Sequence, residues 1–365
     1  MKKEGDYISA NMPVDVNAVT KRLAATQKDS GEIPWSEGDK TDPWDHVESA
    51  MGLTIGREYA RARKAYGWMR RMQLEDGSWY SAYKNGQPRD RTRDSNMASY
   101  LAVGLYHYFL ITGDIRFVES MWGTVRAAIN FALSLQATTG EIYWAVSPEG
   151  RIDPKALLTG SSSVYMSLKC AVSLAMMLEK EHAGWSAAMA RLKQAIENKP
   201  RLFDETKGRF SMDGFYPVLT GAVTGEKARK RIDACLDKFF VAGQGVKCVS
   251  DEPWITIAET AELCIAIAAT GDRERAKEIF GLLKDYRYAD GSYWCGFTMP
   301  ERTIWPEEKI SWTNAVVLMA ADAIYRLTPA AGLFDHDFWK STEKSAYLES
   351  NICKKHTIGR ILIRQ

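Results

Sequence analysis

The sequence lacks several features that would assign it to common protein classes. No apolar run among its 365 residues approaches the roughly 18 residues that a membrane-spanning helix needs. Its 48 Lys and Arg are balanced by 46 Asp and Glu, so it has no basic surplus for a nucleic-acid partner. The residues after Met1-Lys2-Lys3 are polar and do not form the apolar core of a signal peptide. We therefore expect a cytoplasmic protein with no transmembrane segment and no nucleic-acid partner.

Ligands for metal ions are equally scarce. The five His and six Cys include no CxxC pair and no HExxH motif. Cys170 and Cys264 lie inside apolar helical runs, as buried reduced thiols do. The sequence predicts neither a metal nor a cofactor, and it leaves the oligomeric state open.

Tryptophan, in contrast, is abundant, and most of the 12 Trp stand beside Gly or Pro. Several belong to a recurring phrase, written most clearly as Gln73-Leu-Glu-Asp-Gly-Ser-Trp79. Copies lie at 27–35, 73–79, 136–144 and 288–294, with weaker ones at 204–210 and 242–254. Spacings of this size indicate a repeated supersecondary unit.

Each repeat places an amphipathic helix before the phrase and a more apolar helix after it. The amphipathic helices are predicted at 60–72, 115–136, 185–198, 226–240 and 273–286, and the apolar helices at 47–53, 97–110, 164–178, 215–223, 257–269 and 313–325. Six such hairpins predict an all-α fold, an (α/α)6 toroid with inner and outer rings, as one domain over 1–328. Residues 329–365 form a tail that either packs on the ring or is disordered.

Two families share features with these segments. The phrase at 73–79 resembles the glutamine–tryptophan repeat of squalene cyclases and protein prenyltransferases, and bacterial relatives labelled prenyltransferase. Segments 141–145 and 156–165 resemble the acid-bearing third loop and the next helix of six-hairpin, glucoamylase-like glycosidases. Both resemblances imply an α/α toroid. The chain lacks the Asp-x-Asp-Asp, Asp-Asp-x-x-Asp and zinc-ligand motifs of the isoprenoid enzymes.

In a helical toroid the loops from outer to inner helices gather at one end, and here they are rich in aromatic and acidic residues. Aromatic faces stack on sugar rings, while carboxylates and Arg hydrogen-bond hydroxyls. The candidate substrate-binding residues are Trp35, Asp42, Trp44, Asp45, His46, Arg93, Asp94, Trp144, Asp251, Glu252, Trp254, Trp305 and Trp312. Some have an alternative structural interpretation, since an acid just before a helix is often its N-cap, as for Asp45, Asp94 and Asp213.

Glycoside hydrolysis requires one carboxylic acid and one carboxylate. The glycosidase resemblance implies that Glu141 is the acid, and its neighbours Tyr143 and Trp144 would raise its pKa by desolvation. The base is expected in the sixth loop, as Glu307 or Glu308.

The sequence therefore predicts a carbohydrate-active enzyme that hydrolyses a glycan or glycoconjugate. Two alternatives remain at this point. One is an isoprenoid enzyme of the terpene-cyclase or prenyltransferase type. The other is a non-catalytic toroid that binds a glycan or a protein.

Overall fold

The computed structural model describes residues 12–340, and these form two concentric rings of helices. The inner ring contains α2 (Pro43–Ile55), α4 and α5 (Ser95–Ser99 and Leu101–Thr112), α7 (Leu158–Met177), α9 (Ser211–Leu219), α11 (Ile257–Ala269) and α13 (Ser311–Tyr325). Each inner helix contacts the next, and α13 returns to contact α2. The ring is therefore closed, which confirms the predicted all-α toroid.

The outer ring packs around it and is amphipathic. Its helices are α1 (Val16–Thr26), α3 (Tyr59–Met72), α6 (Ile115–Ser134), α8 (Trp185–Asn198), α10 (Gly225–Phe239) and α12 (Arg273–Phe280). In α3, Ala62, Ala65 and Met69 are buried, whereas Arg70 and Arg71 lie on the other face. A buried apolar stripe of this kind stabilises an outer helix chiefly by removing that surface from water. Short 3-10 helices occur at Pro200–Leu202, Glu205–Arg209 and Gly281–Asp285.

The recurring phrase is a joint between neighbouring outer helices. The side-chain amide of Gln73 donates to the carbonyl oxygens of Gly77 and Thr124, each at 2.9 Å. Gly77 has a φ of +91°, and a Cβ there would collide with the backbone of Ala127. The indole of Trp79 is buried and donates to Met69 O at 2.8 Å. The residues of this phrase therefore have a structural role and do not indicate a substrate site.

Short antiparallel strands lie at one end of the rings. They are β1 (Ala82–Lys84), β2 (Gln87–Asp90), β3 (Arg93–Asp94), β4 (Tyr143–Val146), β5 (Ile152–Ala156), β6 (Phe240–Val241), β7 (Gly245–Lys247), β8 (Trp254–Thr256), β9 (Gly296–Thr298) and β10 (Thr303–Ile304). They form a β1-β2 hairpin, a β3-β4-β5 sheet and a β10-β9-β8-β7-β6 sheet. All of them lie in connections from an outer to an inner helix, so they build the mouth of the ring.

The described part of the predicted tail packs on the ring. Leu333, Phe334 and Trp339 join the buried core, and His336 Nε2 lies 2.7 Å from Val218 O. The division at 328 stays a prediction, and 1–11 and 341–365 lie outside the described residues. Between residues 12 and 340, none of the helices combines the length and apolarity that crossing a bilayer demands.

Candidate active site

The site is built at the N-terminal end of inner helix α2. Asp42 caps this helix, because its Oδ1 accepts the backbone N–H of Asp45 at 2.9 Å, and Pro43 occupies the first helical turn. The indole N–H of Trp35 donates to the other oxygen of Asp42. This capping fixes the direction in which the next acids on α2 project.

Acids occur at two levels on two inner helices. Asp45 lies in the first turn of α2, and Glu259 lies in the first turn of α11. Three residues further along each helix, about 4.5 Å deeper, stand Glu48 and Glu262. These four residues and Asp42 are called the acidic cluster below. Only Asp45 among them is more than slightly exposed, so it is the member best placed to meet a substrate.

Aromatic donors hold the deeper level. Glu48 Oε1 accepts the indole N–H of Trp44 at 2.9 Å and the hydroxyl of Tyr100 at 2.8 Å. The side chain of Tyr216 lies close enough to Glu262 to oppose the rise of its pKa. The ring of Trp44 lies 5.6 Å from that of Tyr100 and 5.7 Å from that of Tyr216, measured between centroids. The acidic cluster therefore has an aromatic collar, and Trp312, whose side chain lies beside Glu48, completes it.

Burial, with mutual repulsion, raises the pKa values of Asp45, Glu48 and Glu262. Burial raises the pKa of Asp45 well above its usual range, and the negative charges of Asp42, Glu48 and Glu262 raise it further. Burial also raises the pKa of Glu48 to about 7, against the effect of its aromatic donors. The pKa of Glu262 is raised well above its usual range by burial and by Glu48 and Glu259. Loss of a proton from Asp45, Glu48 or Glu262 is therefore disfavoured relative to an exposed acid.

The thiol of Cys295 links this cluster to the sixth loop. Burial raises its pKa to about 12, and the negative charges of Glu259, Glu308 and Asp45 add to the effect. These three carboxylates therefore lie within electrostatic reach of one buried atom. The structure thus brings together acids from three different loops at the mouth of the ring.

The chain was compared with known proteins on sequence and on structure. No family model matches it. It is 45% identical over 322 residues to the MMP endo-(1,4)-3-O-methyl-alpha-D-mannosidase of Mycolicibacterium hassiacum, covering 88% of this chain and 89% of that protein. The chain belongs to this mannosidase's family. It is a glycoside hydrolase, as the sequence predicted.

Solved structures show the same fold in enzymes of different chemistry. A GH63 mannosylglycerate hydrolase of Thermus thermophilus, solved with Tris and D-glycerate, superposes with a TM-score of 0.65, at 11% identity over 83% of this chain and 99% of that chain. A D-mannose isomerase superposes with a TM-score of 0.63, at 11% identity over 86% and 96% of the two chains. At such identities these likenesses show the fold alone.

Glu141, the general acid that the sequence predicts, lies apart from the hydrogen bonds of the acidic cluster. Glu141 is buried before β4, where its Oε1 accepts the hydroxyl of Thr139 at 2.8 Å. Glu307 and Glu308 are exposed between β10 and α13. Among residues 12–340 no hydrogen bond or ion pair joins Glu141 to either of them. Catalysis by Glu141 with Glu307 or Glu308 stays a prediction.

Several predicted substrate-binding residues converge on one end of the hydrolase. Asp42, Trp44, Asp45 and Trp312 belong to the acidic cluster or its collar. Asp94 and Trp144 line a pocket of about 120 Å³ that shares Trp44 with the collar. Asp94 also caps α4, and its pKa is raised to about 6 by burial and by the charge of Asp42.

Others hold the loops in place. Both ring nitrogens of His46 meet backbone atoms, Ile33 N at 3.1 Å and Ala65 O at 3.0 Å, and the side chain is fully buried. Arg93 pairs with Asp76, and Asp251 pairs with Arg209 at 2.7 Å. Glu252 is exposed and Trp35 is half-buried.

Trp254 and Trp305 form an aromatic ledge on the five-stranded sheet. Their rings meet edge to face at 5.1 Å, and the indole N–H of Trp254 donates to Trp305 O at 2.8 Å. Trp305 is 56% exposed, which is unusual for so large an apolar side chain. The two residues lie in connections from an outer to an inner helix, at the mouth, and their role in binding substrate stays a prediction.

Sequence reasoning missed the deeper acids of the cluster. Glu48 and Glu262 lie within the apolar inner helices at 47–53 and 257–269, where the hydrophobic pattern assigns them to the core. A carboxylate inside an otherwise apolar buried helix is itself a signal, because an isolated buried charge is costly. Tyr100, which donates to Glu48, escapes sequence reasoning for the same reason.

Proposed function

We propose that this glycoside hydrolase cleaves internal α-(1,4) linkages in oligosaccharides of 3-O-methyl-D-mannose, the substrate class in its relative's name. The identity of 45% extends over most of both chains, which supports a shared substrate class. The mouth of the ring supports a carbohydrate, because carboxylates and aromatic rings alternate there. A hydrocarbon substrate is disfavoured, because it could not form hydrogen bonds to the many carboxylic acids at the mouth.

Asp45 is the proposed general acid. A general acid must hold its proton at working pH, and the raised pKa of Asp45 meets that need. It must also reach the glycosidic oxygen, and Asp45 is the half-buried member of the cluster. The surrounding carboxylates are the observation that carries this assignment, since they oppose loss of its proton.

Glu259 is the proposed partner carboxylate. It stands at the same level as Asp45, in the first turn of another inner helix, and both act on the same Cys295 thiol. Its role is to activate water or to attack the anomeric carbon. Glu48 and Glu262 are positioning residues beneath them, because their negative charges act on Asp45 from below.

The test is incubation with a panel of defined oligosaccharides followed by mass spectrometry of the products. The panel contains α-(1,4)-linked oligomers of 3-O-methyl-D-mannose, the unmethylated oligomers and maltooligosaccharides. We expect fragments from internal cleavage of the methylated oligomers, and none with Asp45→Asn. Intact methylated oligomers after prolonged incubation would contradict the proposal.

The same preparation separates the alternatives. A glycan-binding toroid without catalysis would bind the oligomers and leave them whole. An isoprenoid enzyme would bind a prenyl diphosphate. Among the described residues, only the phrase at 73–79 favours that alternative. The predicted cytoplasmic location and the oligomeric state stay outside this test.

A further inference from the structure

A small pocket beside the acidic cluster has an apolar wall. It has a volume of about 120 Å³, enough for a few water-sized groups such as one edge of a sugar ring with a substituent. Met97, Ile142 and Leu157 line it, together with the rings of Trp44 and Trp144. Because Trp44 also donates to Glu48, the pocket adjoins the cluster directly.

Polar side chains from two inner helices and the residue before one of them also line this pocket, namely Asp94, Ser95, Asn96, Thr159 and Ser161. Asp94 is half-buried there, where it caps α4 by accepting the N–H groups of Asn96 at 2.7 Å and Met97 at 3.0 Å. Asn96 is 4% exposed, and its Oδ1 has no hydrogen-bond partner within residues 12–340. The indole N–H of Trp144 likewise has none in this part of the chain. Unpartnered buried polar atoms are rare, and a ligand oxygen or a water bound here would supply the partner.

The pocket therefore combines apolar side chains with polar groups. A sugar hydroxyl turned toward the side chains of Met97 and Leu157 would lose its bonds to water and gain no hydrogen bond from either of them. A methyl ether at the same position has no hydrogen to donate and buries its methyl group favourably. This asymmetry distinguishes a methylated sugar from its unmethylated counterpart.

We propose that the pocket bounded by Met97, Leu157 and Trp44 binds the 3-O-methyl group of one mannose unit and sets the preference for methylated substrate. This inference rests on the proposed function. Selectivity of this kind combines an attraction for the methyl group with a penalty for the bare hydroxyl.

The first experiment replaces Met97 by Gln, which keeps the length of the side chain and adds polar atoms to the apolar wall. The measurement is the ratio of kcat/KM for methylated over unmethylated α-(1,4)-mannose oligomers. We expect this ratio to fall about tenfold, the size of effect that one misplaced methylene has in a binding pocket. Leu157→Asn should lower the ratio as well, and it serves as the second variant if Met97→Gln does not fold.

Met176→Gln is the matched control. Met176 is 43% exposed near the C-terminal end of α7, about 22 Å along the helix from the pocket. It should keep the wild-type ratio. If Met97→Gln and Leu157→Asn also keep it, the inference is wrong.

A binding measurement separates this inference from the proposed function. Methyl 3-O-methyl-α-D-mannopyranoside and methyl α-D-mannopyranoside are titrated into the wild-type protein and followed by ligand-observed NMR. Tighter binding of the methylated glycoside, lost in Met97→Gln, supports the inference even if no oligomer is cleaved. Equal binding of the two glycosides overturns it, even if methylated oligomers are hydrolysed.

Discussion

Two inner helices carry an aspartate in the first turn, and the two residues have different surroundings. Asp45 of α2 faces Asp42, Glu48 and Glu262, and burial and repulsion raise its pKa well above the usual range. Asp213 of α9 accepts the hydroxyl of Thr159 at 2.6 Å, and the positive charge of Arg231 opposes the rise that burial causes in its pKa.

The difference teaches how a toroid of equivalent hairpins acquires a single active site. Both aspartates satisfy the preference for acids near a helix N-terminus. Lys40 lowers the pKa of Asp45 by less than the neighbouring acids raise it. Arg231, in contrast, lowers the pKa of Asp213 and also donates to the carbonyl oxygens of Asp213 and Gly214, at 2.6 and 2.8 Å. We infer that Asp213 stabilises the fold, whereas the costly environment of Asp45 agrees with its proposed role as the general acid.

Asp45→Asn gives the largest expected effect. The amide cannot protonate the leaving oxygen, so turnover of methylated oligomers should fall by about 10²–10⁴-fold. The thermal midpoint should stay or rise, because the amide cannot ionise and so removes the cost of a negative charge at this crowded, buried position. Initial rates and thermal unfolding on one preparation measure both. Glu141→Gln tests the general acid that the sequence predicts, and it should retain most activity if Asp45 has that role instead. A large loss there with little loss in Asp45→Asn would transfer the acid's role to Glu141.

Asp213→Ala should act on stability and not on turnover. It leaves the hydroxyl of Thr159 without its acceptor and removes the negative charge near the half-buried Arg231. We expect the free energy of unfolding to fall by about 1–3 kcal/mol, measured in urea at pH 7. Activity per folded molecule should match the wild type. A drop in turnover comparable to that of Asp45→Asn would end the distinction between the two helices.

The fold was predictable from the sequence because it rests on local patterns repeated six times. The predicted outer helix at 185–198 and inner helix at 257–269 match α8 and α11. Inner helix α2 begins at Pro43 and not at Val47, because Asp42 and Pro43, which the sequence pattern assigns to the loop, cap the helix. The strands escaped prediction, since they have only two to five residues and little periodicity.

The site was only partly predictable. The sequence shows that Asp45 and Asp213 each precede or open an apolar helix, but the contact of Asp213 with Arg231 depends on how α9 packs against the next outer helix, α10. The same holds for Glu48 and Glu262, whose proximity follows from closure of the ring. The composition of the loops predicts which end of the ring forms the mouth. Tertiary packing determines which acids lie close together there.

Glu48→Gln tests whether the cluster destabilises the protein at higher pH. The pKa of Glu48 is raised from 4.5 to about 7, so the folded state binds more protons than the unfolded state between these values. The stability from this carboxyl is thus present below about pH 4.5 and is lost as pH rises through 7. The variant should lose less stability than the wild type from pH 5 to 8, by an amount on the order of 2 kcal/mol. Parallel thermal profiles for the two proteins would contradict this.

The smallest expected effect concerns two tryptophans that, like the two aspartates, have different surroundings. Trp79 is buried in the repeated joint, whereas Trp305 is 56% exposed on the ledge. Trp305→Ala should raise KM for long oligomers about two- to tenfold, as expected for the loss of one stacking contact, and leave the shortest cleaved oligomer unaffected. Ile152→Ala is the control, since Ile152 is 50% exposed on β5, away from the ledge. Tryptophan fluorescence of the wild type should be quenched by long oligomers, and part of that quenching should disappear in Trp305→Ala. If KM rises equally for short and long oligomers, Trp305 belongs to the catalytic mouth itself, and the ledge has no separate role in binding the distal part of the chain.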